Sequence, residues 1–270
     1  MRGRALPGFG LTLGVTLAYL GLMVLLPLAA LVLKTTLLSP AAFWAVAAAP
    51  RALAAYRLTF GVSFAAAALN VLLGATLAWV LERYAFPGRG LVNALVDLPL
   101  ALPTAIAGIT LATLFTRHGW FGRALEGVGV RVAFTPLGIL VALVFIGLPF
   151  VVRTLQPVLA DLPPELEEAG ACLGASRSQV FARILAPELM PAALTGFALA
   201  FARGLGEYGS VIFIAGNMPL RTEVAPLVIM TRLEQQDLPG ASAIALVMLA
   251  ASFALLLSIN LLQGWRARRG

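Results

Sequence analysis

The sequence predicts an all-α membrane protein of six transmembrane helices with one short helical hairpin outside the bilayer. Three observations carry that prediction. Of the 270 positions, 60% are apolar and 11% charged, against roughly half and a quarter in an ordinary soluble domain. The apolar residues fall into six runs, and since a helical span needs about 20, six use about 120 positions and leave short connections. No run alternates apolar and polar residues, as barrel strands of about ten positions do.

The first run, Leu11 to Leu33, follows Arg2 and Arg4. It exceeds the roughly 7–15 residue core of a secretory signal and so predicts an uncleaved first span. Further spans are expected over 58–81, over 91–116 with its most apolar part from Leu98, and over 132–152, 189–214 and 238–262. The longest connection, Val152 to Leu189, is too short for an independent domain of roughly 50 residues. Residues 1–270 therefore read as one transmembrane domain, and any energy source belongs to another chain. An even number of spans puts both termini on one side of the membrane. Arg2, Arg4, Arg266, Arg268 and Arg269 place that side in the cytoplasm. The bias is small, with ten basic residues on inner segments, eight on outer ones and Arg203 within a span.

Several functions drop out at once. The net charge of +7 is spread between apolar runs and at the termini, which describes a membrane protein and not a nucleic-acid partner. A single cysteine, Cys172, forbids an internal disulfide, and with a single histidine, His118, there is no cluster of metal-ligand spacing. No nucleophile–base constellation supports an intramembrane enzyme, so no catalytic or metal-binding residue is assigned. Gly204, Gly206 and Gly209 fit G-x-G-x-x-G, but that fingerprint binds dinucleotides only between a strand and a helix, and here an apolar helix precedes it. The one lysine, Lys34, lacks the preceding glycine of a phosphate-binding loop. The chain itself is expected to hold no nucleotide, cofactor or metal.

The segment from Asp161 to Pro187 differs from its surroundings. Pro163 and Pro164 suit the first positions of a helix, and Glu165, Glu167 and Glu168 put negative charge at its positive end. Gly174 provides a left-handed stop, Ser176 and Gln179 form a capping box that starts a second helix, and Pro187 is expected to end it. Leu166, Ala169, Gly170 and Leu173 recur at i, i+3, i+4, i+7 and predict one apolar, small-residue stripe opposite the carboxylates.

Within this hairpin, Glu168-Ala169-Gly170, three residues, Gly174, nine residues and Ile184-Leu-Ala-Pro187 resembles the EAA loop of ABC importer permeases, with Gly170 and Ala186 replacing the usual Ala and Leu. The run from Leu194 through Arg203, Glu207 and Asn217 to Pro219 is similar to the T-type membrane subunit of bacterial sulfate/thiosulfate ABC importers. So are Asp97 to Gly108, Phe134 to Gly138 and Pro149 to Pro157. The resemblance covers about residues 58–262. It implies a MetI-like importer permease of the bacterial inner membrane, coupled through Glu168, Ala169, Gly170, Gly174, Ile184 and Pro187 to two copies of a cytoplasmic ATPase that uses ATP and magnesium. It also implies a W-type second permease, or another copy of this chain, and a periplasmic sulfate/thiosulfate-binding protein. Molybdate permeases share the architecture and stay open as an alternative. So does a stand-alone carrier in which Glu207 or Asp97 couples anion to proton, although the hairpin argues against it.

Arg203 and Glu207 stand four apart on the expected fifth span and so on one helix face. Such residues face the bundle interior or an aqueous path. Either they form a self-neutralising pair that fixes packing, or Arg203 balances a passing dianion while Glu207 keeps it from being trapped. Gly204, Gly206, Gly209 and Ser210 offer close approach and backbone N–H groups. Pro103 and Thr104 are expected to kink a pathway helix. Asn70 is read as an interhelical hydrogen bond, Asp97 as an interfacial charge, and His118 with Trp120 as the outer interface.

Overall fold

The computed structural model describes residues 9–163 and 165–267. Arg2, Arg4, Arg268, Arg269 and Pro164 lie outside the described residues, as does the Arg266 side chain. Every regular element among the described residues is helical. In chain order these are α1 (Phe9–Thr35), α2 (Pro40–Ala47), α3 (Pro50–Arg83), α4 (Arg89–Ala101), α5 (Thr104–Phe115) and α6 (Trp120–Glu126). There follow α7 (Pro136–Asp161), α8 (Glu165–Cys172), α9 (Arg177–Leu205), α10 (Val211–Ile214), α11 (Ala225–Glu234) and α12 (Leu238–Ala267). Five of them, α1, α3, α7, α9 and α12, are long and apolar enough to cross a bilayer. The α4–α5 pair makes a sixth segment, bent by 112° at Leu102 and Pro103.

That bend falls at Pro103, where a kink is expected, but it is sharp enough to divide the expected third span over 91–116 into two helices. Pro103 lacks an N–H and disfavours helical backbone at Leu102, which is extended (φ −82°, ψ 136°). The chain therefore restarts as a separate helix at Thr104.

The second correction concerns Pro187, which does not end a helix. A π turn over Phe181–Leu185 lets the Ala186 N–H reach the Phe181 carbonyl five residues back. The proline then follows where no α-helical bond has to be broken. Pro27 sits likewise two residues beyond the π turn Gly21–Leu25. The second hairpin helix and the fifth span are thus one continuous helix, which stops at Leu205 and not near Ile214.

The core lies where α3, α7 and α9 meet. Leu81, Val151, Val152, Leu155, Leu159 and Phe201 are fully buried there. Without a water-driven term inside lipid, such helices associate through van der Waals fit, so small residues at the contacts matter most. Gly74 and Gly196 flank Val151 from opposite sides, and a Cβ at either would come within 2.9 Å of it. In contrast, the apolar window of α1 has no buried residue, and the second half of that helix lies along α12.

Candidate coupling hairpin and intramembrane arginine site

The hairpin forms from local rules. The Gly174 N–H donates to the Ala171 carbonyl and the Ala175 N–H to the Gly170 carbonyl, with Gly174 at φ +80°. This pair of bonds is a Schellman stop, which glycine enters without a Cβ penalty. Ser176 Oγ then accepts from the Gln179 N–H at 3.3 Å while Gln179 Oε1 accepts from the Ser176 N–H at 2.8 Å, closing the capping box.

The predicted stripe divides in two. Gly170 is buried inside the hairpin, where its Cβ would stand 3.0 Å from Val180 and 3.1 Å from Ile184. Its small size serves the fit of α8 on α9 and not an outside groove. Leu166, Glu168 and Ala169 are exposed, and Leu173 at the tip is 88% exposed. Gly174 and Pro187 are exposed and Ile184 is half-buried. Arg83 at the end of α3 ties the hairpin to the bundle: its Nη2 lies 3.0 Å from Glu167 Oε1 and donates to the Leu162 carbonyl, and its guanidinium stacks 5.5 Å from the Trp79 ring centre.

The second site forms where α9 breaks. Glu207 lies beyond the helix end, so the expected same-face pair on one helix is replaced by a contact across the break. Arg203 Nη1 stands 2.6 Å from Glu207 Oε2. Glu207 Oε1 accepts from the Ser210 N–H at 2.8 Å and the Ser210 hydroxyl at 2.9 Å. The carboxylate is thereby held by three donors, and its side chain is only 2% exposed, against 35% for Arg203. An arginine carries five N–H groups. The ion pair with Glu207 is the single polar contact of Arg203 among the described residues.

The α5 arm closes on this break. A Cβ on Gly108 would meet the Ser210 carbonyl oxygen at 2.4 Å, and one on Gly209 would meet Thr104 Oγ1 at 2.1 Å. Pro103 caps the start of α5, so Pro103, Thr104, Gly209, Ser210, Glu207 and Arg203 come together. Gly204 packs on Ser63, whereas Gly206 faces open space and serves no close approach. The backbone N–H groups of Gly206, Glu207 and Ser210 are already committed within the chain. Of the donors proposed from the sequence, the Arg203 guanidinium keeps the most free capacity.

One other expectation changes. Asn70 is fully buried against Gly147, but neither of its amide atoms has a partner. Asp97, expected as an interfacial charge, is half exposed and accepts two bonds from Arg153, Nε at 2.8 Å and Nη2 at 2.5 Å. Sequence reading missed Arg153 because its carboxylate and asparagine partners, Asp97 and Asn93, lie on another helix and leave no periodic trace. His118 is exposed and joins Arg117, Arg131 and Phe134 around an open hollow of about 510 Å³ at the end of the bundle opposite the hairpin.

A bundle with a broken third span, an exposed hairpin between the fourth and fifth spans and a half-buried ion pair at the end of the fifth has the build of a multi-pass membrane protein. Residues 70–269 match the model of the family described as "Binding-protein-dependent transport system inner membrane component", and the chain belongs to that family. It is 52% identical over 266 residues to the sulfate transport system permease protein CysT of Salmonella typhimurium, covering 98% of this chain and 96% of that one. The same name and identity apply to the Escherichia coli relative, with the same coverage. The CysT of Synechocystis is 50% identical over 254 residues, covering 94% of this chain and 89% of that one. Among solved structures, a bacterial ABC transporter involved in the import of the acidic polysaccharide alginate matches with a TM-score of 0.76 at 16% identity. That match covers 95% of this chain and 96% of the other, and it establishes a shared fold. This chain is a multi-pass permease of that ABC importer fold.

Proposed function

We propose that the chain is a permease subunit of an ATP-driven importer that moves sulfate or thiosulfate across the bacterial inner membrane, with both termini in the cytoplasm. Near-full-length identity of 52% to sulfate permeases carries the substrate class. In this reading the chain forms half of a pathway with a W-type second permease or another copy of itself. A periplasmic anion-binding protein delivers the substrate, and a solved alginate transporter of the same fold has been captured with its substrate-bound periplasmic protein. Of two cytoplasmic ATPase subunits, one docks on the exposed side of α8, around Glu168, Ala169 and Leu173, and the other on the second permease. The chain holds no nucleotide or metal itself; ATP and magnesium belong to those partners.

Arg203 is the residue proposed to face the anion. A dianion in a low-dielectric core needs compensating charge or directed donors. Arg203 is partly exposed and uses one side of its fork, while Glu207 holds the guanidinium in place and shares its attention with Ser210. Thr104, on the arm packed against the same break, sets its hydroxyl against Gly209.

Copurification under mild detergent, followed by labelled sulfate uptake with thiosulfate or molybdate as competitor, tests the proposal. ATPase subunits should come down with the chain, and uptake should be competed by thiosulfate and not by molybdate. Molybdate uptake in place of sulfate would reassign the substrate. ATP hydrolysis or transport by the pure subunit would overturn the reading of a coupled, non-catalytic half-pore.

A further inference from the structure

Helix α4 is held to the bundle in an unusual way for a membrane segment. Only Val96 and Pro99 along it are buried, so apolar packing secures little of its length. Its attachment is instead polar. Asn93 and Asp97, one turn apart on one face, both meet Arg153 of α7. Arg153 Nε and Nη2 donate to the Asp97 carboxylate, Nη2 also donates to the Asn93 backbone carbonyl at 2.8 Å, and Nη1 donates to Asn93 Oδ1 at 2.8 Å and to Gln156 Oε1. All five N–H groups of the guanidinium are therefore engaged. This distinguishes it from Arg203: a saturated arginine has nothing left to offer an anion.

The same cluster continues to the hairpin. Gln156 Nε2 donates to Glu82 Oε1 at 2.9 Å and to Asn93 Oδ1 at 3.2 Å, and Glu82 Oε2 also receives Arg89 of α4 at 3.4 Å. Glu82 adjoins Arg83, which holds Glu167 of α8. Beyond the other end of α4 the chain turns through 112° into α5, whose Gly108 and Thr104 rest against Ser210 and Gly209. Directional bonds thus join α4 and α7 to Glu82 of α3, the next residue of that helix holds the hairpin, and α4 carries the arm that closes on the break beyond Arg203.

We infer that Arg153 is a positioning residue for transport, locking α4 to the polar cluster that receives hairpin movement so that the Thr104 arm moves with it. The inference rests on the reading that the hairpin meets the ATPase. Apolar helix faces permit small slips in register, whereas a half-buried cluster of directional bonds that uses every N–H of one guanidinium favours a single arrangement of the two helices. Displacement of α8 is in this way delivered to the Arg203 site instead of being lost between helices.

The test uses the complete transporter in vesicles with saturating loaded binding protein, measuring ATP hydrolysis and labelled anion uptake on the same sample. Arg153→Gln should leave hydrolysis within about twofold of the parent while uptake per ATP falls roughly fivefold or more, the lower range of coupling between distant sites. Arg153→Lys should fall between, because an ammonium supplies three donors without the planar fork. Asp97→Asn, a gentler change that keeps the Asn93 bonds, should shift the ratio in the same direction and covers the case of an Arg153 variant that fails to assemble. An unchanged ratio in either assembled glutamine or asparagine variant, or hydrolysis and uptake falling in proportion, would overturn the inference. Leu173→Asp at the hairpin tip tests the underlying reading separately: ATPase subunits that still copurify with it would sink the hairpin contact, whatever the Arg153 variants do.

Discussion

Replacing Arg203 and Glu207 singly and together separates the structural from the transport role of the pair. Arg203→Met leaves the Glu207 carboxylate, 2% exposed, with only the two Ser210 donors. Removing one partner of a buried pair costs about 3–5 kcal/mol, and the 35% exposure of Arg203 points to the lower end. Glu207→Gln is milder: its amide oxygen still accepts from the Ser210 N–H and hydroxyl, and the arginine reaches solvent, so about 1–2 kcal/mol is expected for the lost charge-assisted bond. The double variant buries no charge and should recover much of the stability lost in Arg203→Met. Thermal melting in detergent and subunit abundance in membranes report this part. Labelled sulfate uptake at matched abundance reports the other. With Arg203 facing the anion, uptake in the double variant stays as low as in Arg203→Met although the protein is again stable. Near-parental uptake in the double variant would retire Arg203 as a pathway residue, and an Arg203→Met protein as stable as the parent would refute the buried-pair argument itself.

Other substitutions probe the surrounding geometry. Gly108→Ala places a Cβ 2.4 Å from the Ser210 carbonyl oxygen, a backbone atom that cannot swing aside, so a loss of about 1–3 kcal/mol is expected from overpacking; an unchanged melting temperature would show that the α5 arm is not seated there. Gly174→Ala meets no neighbour but inherits φ +80°. It should cost about 1–2 kcal/mol of backbone strain, read as faster limited proteolysis between α8 and α9, while equal protease resistance would argue against the left-handed stop. Asn70→Leu removes two buried amide atoms that lack partners and should raise stability by about 1–3 kcal/mol. A marked drop in melting temperature would mean that the amide makes a contact in the membrane-embedded protein.

The hairpin illustrates how far a sequence carries when the governing interactions are short. Its Schellman stop at Gly174 and its capping box at Ser176 and Gln179 each span six residues or fewer, so residue order alone specifies them, and the structure forms both. The membrane spans are legible for a similar reason, because length and apolarity decide whether a helix crosses a bilayer. Pro187 shows where local rules fail. Read by itself it ends a helix, yet a π turn one step earlier absorbs the missing N–H, and whether that turn forms depends on how α9 packs on its neighbours.

The composition and residue order thus determined the membrane setting, the helical class, the hairpin and the presence of an intramembrane arginine–glutamate pair. Tertiary structure alone decided what each polar group does. Arg153 and Asp97 are 56 positions apart, and nothing in their spacing says that two helices turn those faces together. The sequence marked Arg203 and gave no sign of Arg153; among the described residues the fold saturates Arg153 with five bonds and leaves Arg203 a single partner. Gly170 was read as one member of a continuous small-residue stripe, and the fold turns it inward against Val180 and Ile184 of its own hairpin. In each case the deciding quantity is the rotation and register of one helix against another. Those are fixed by the summed packing of many side chains, which no single motif encodes.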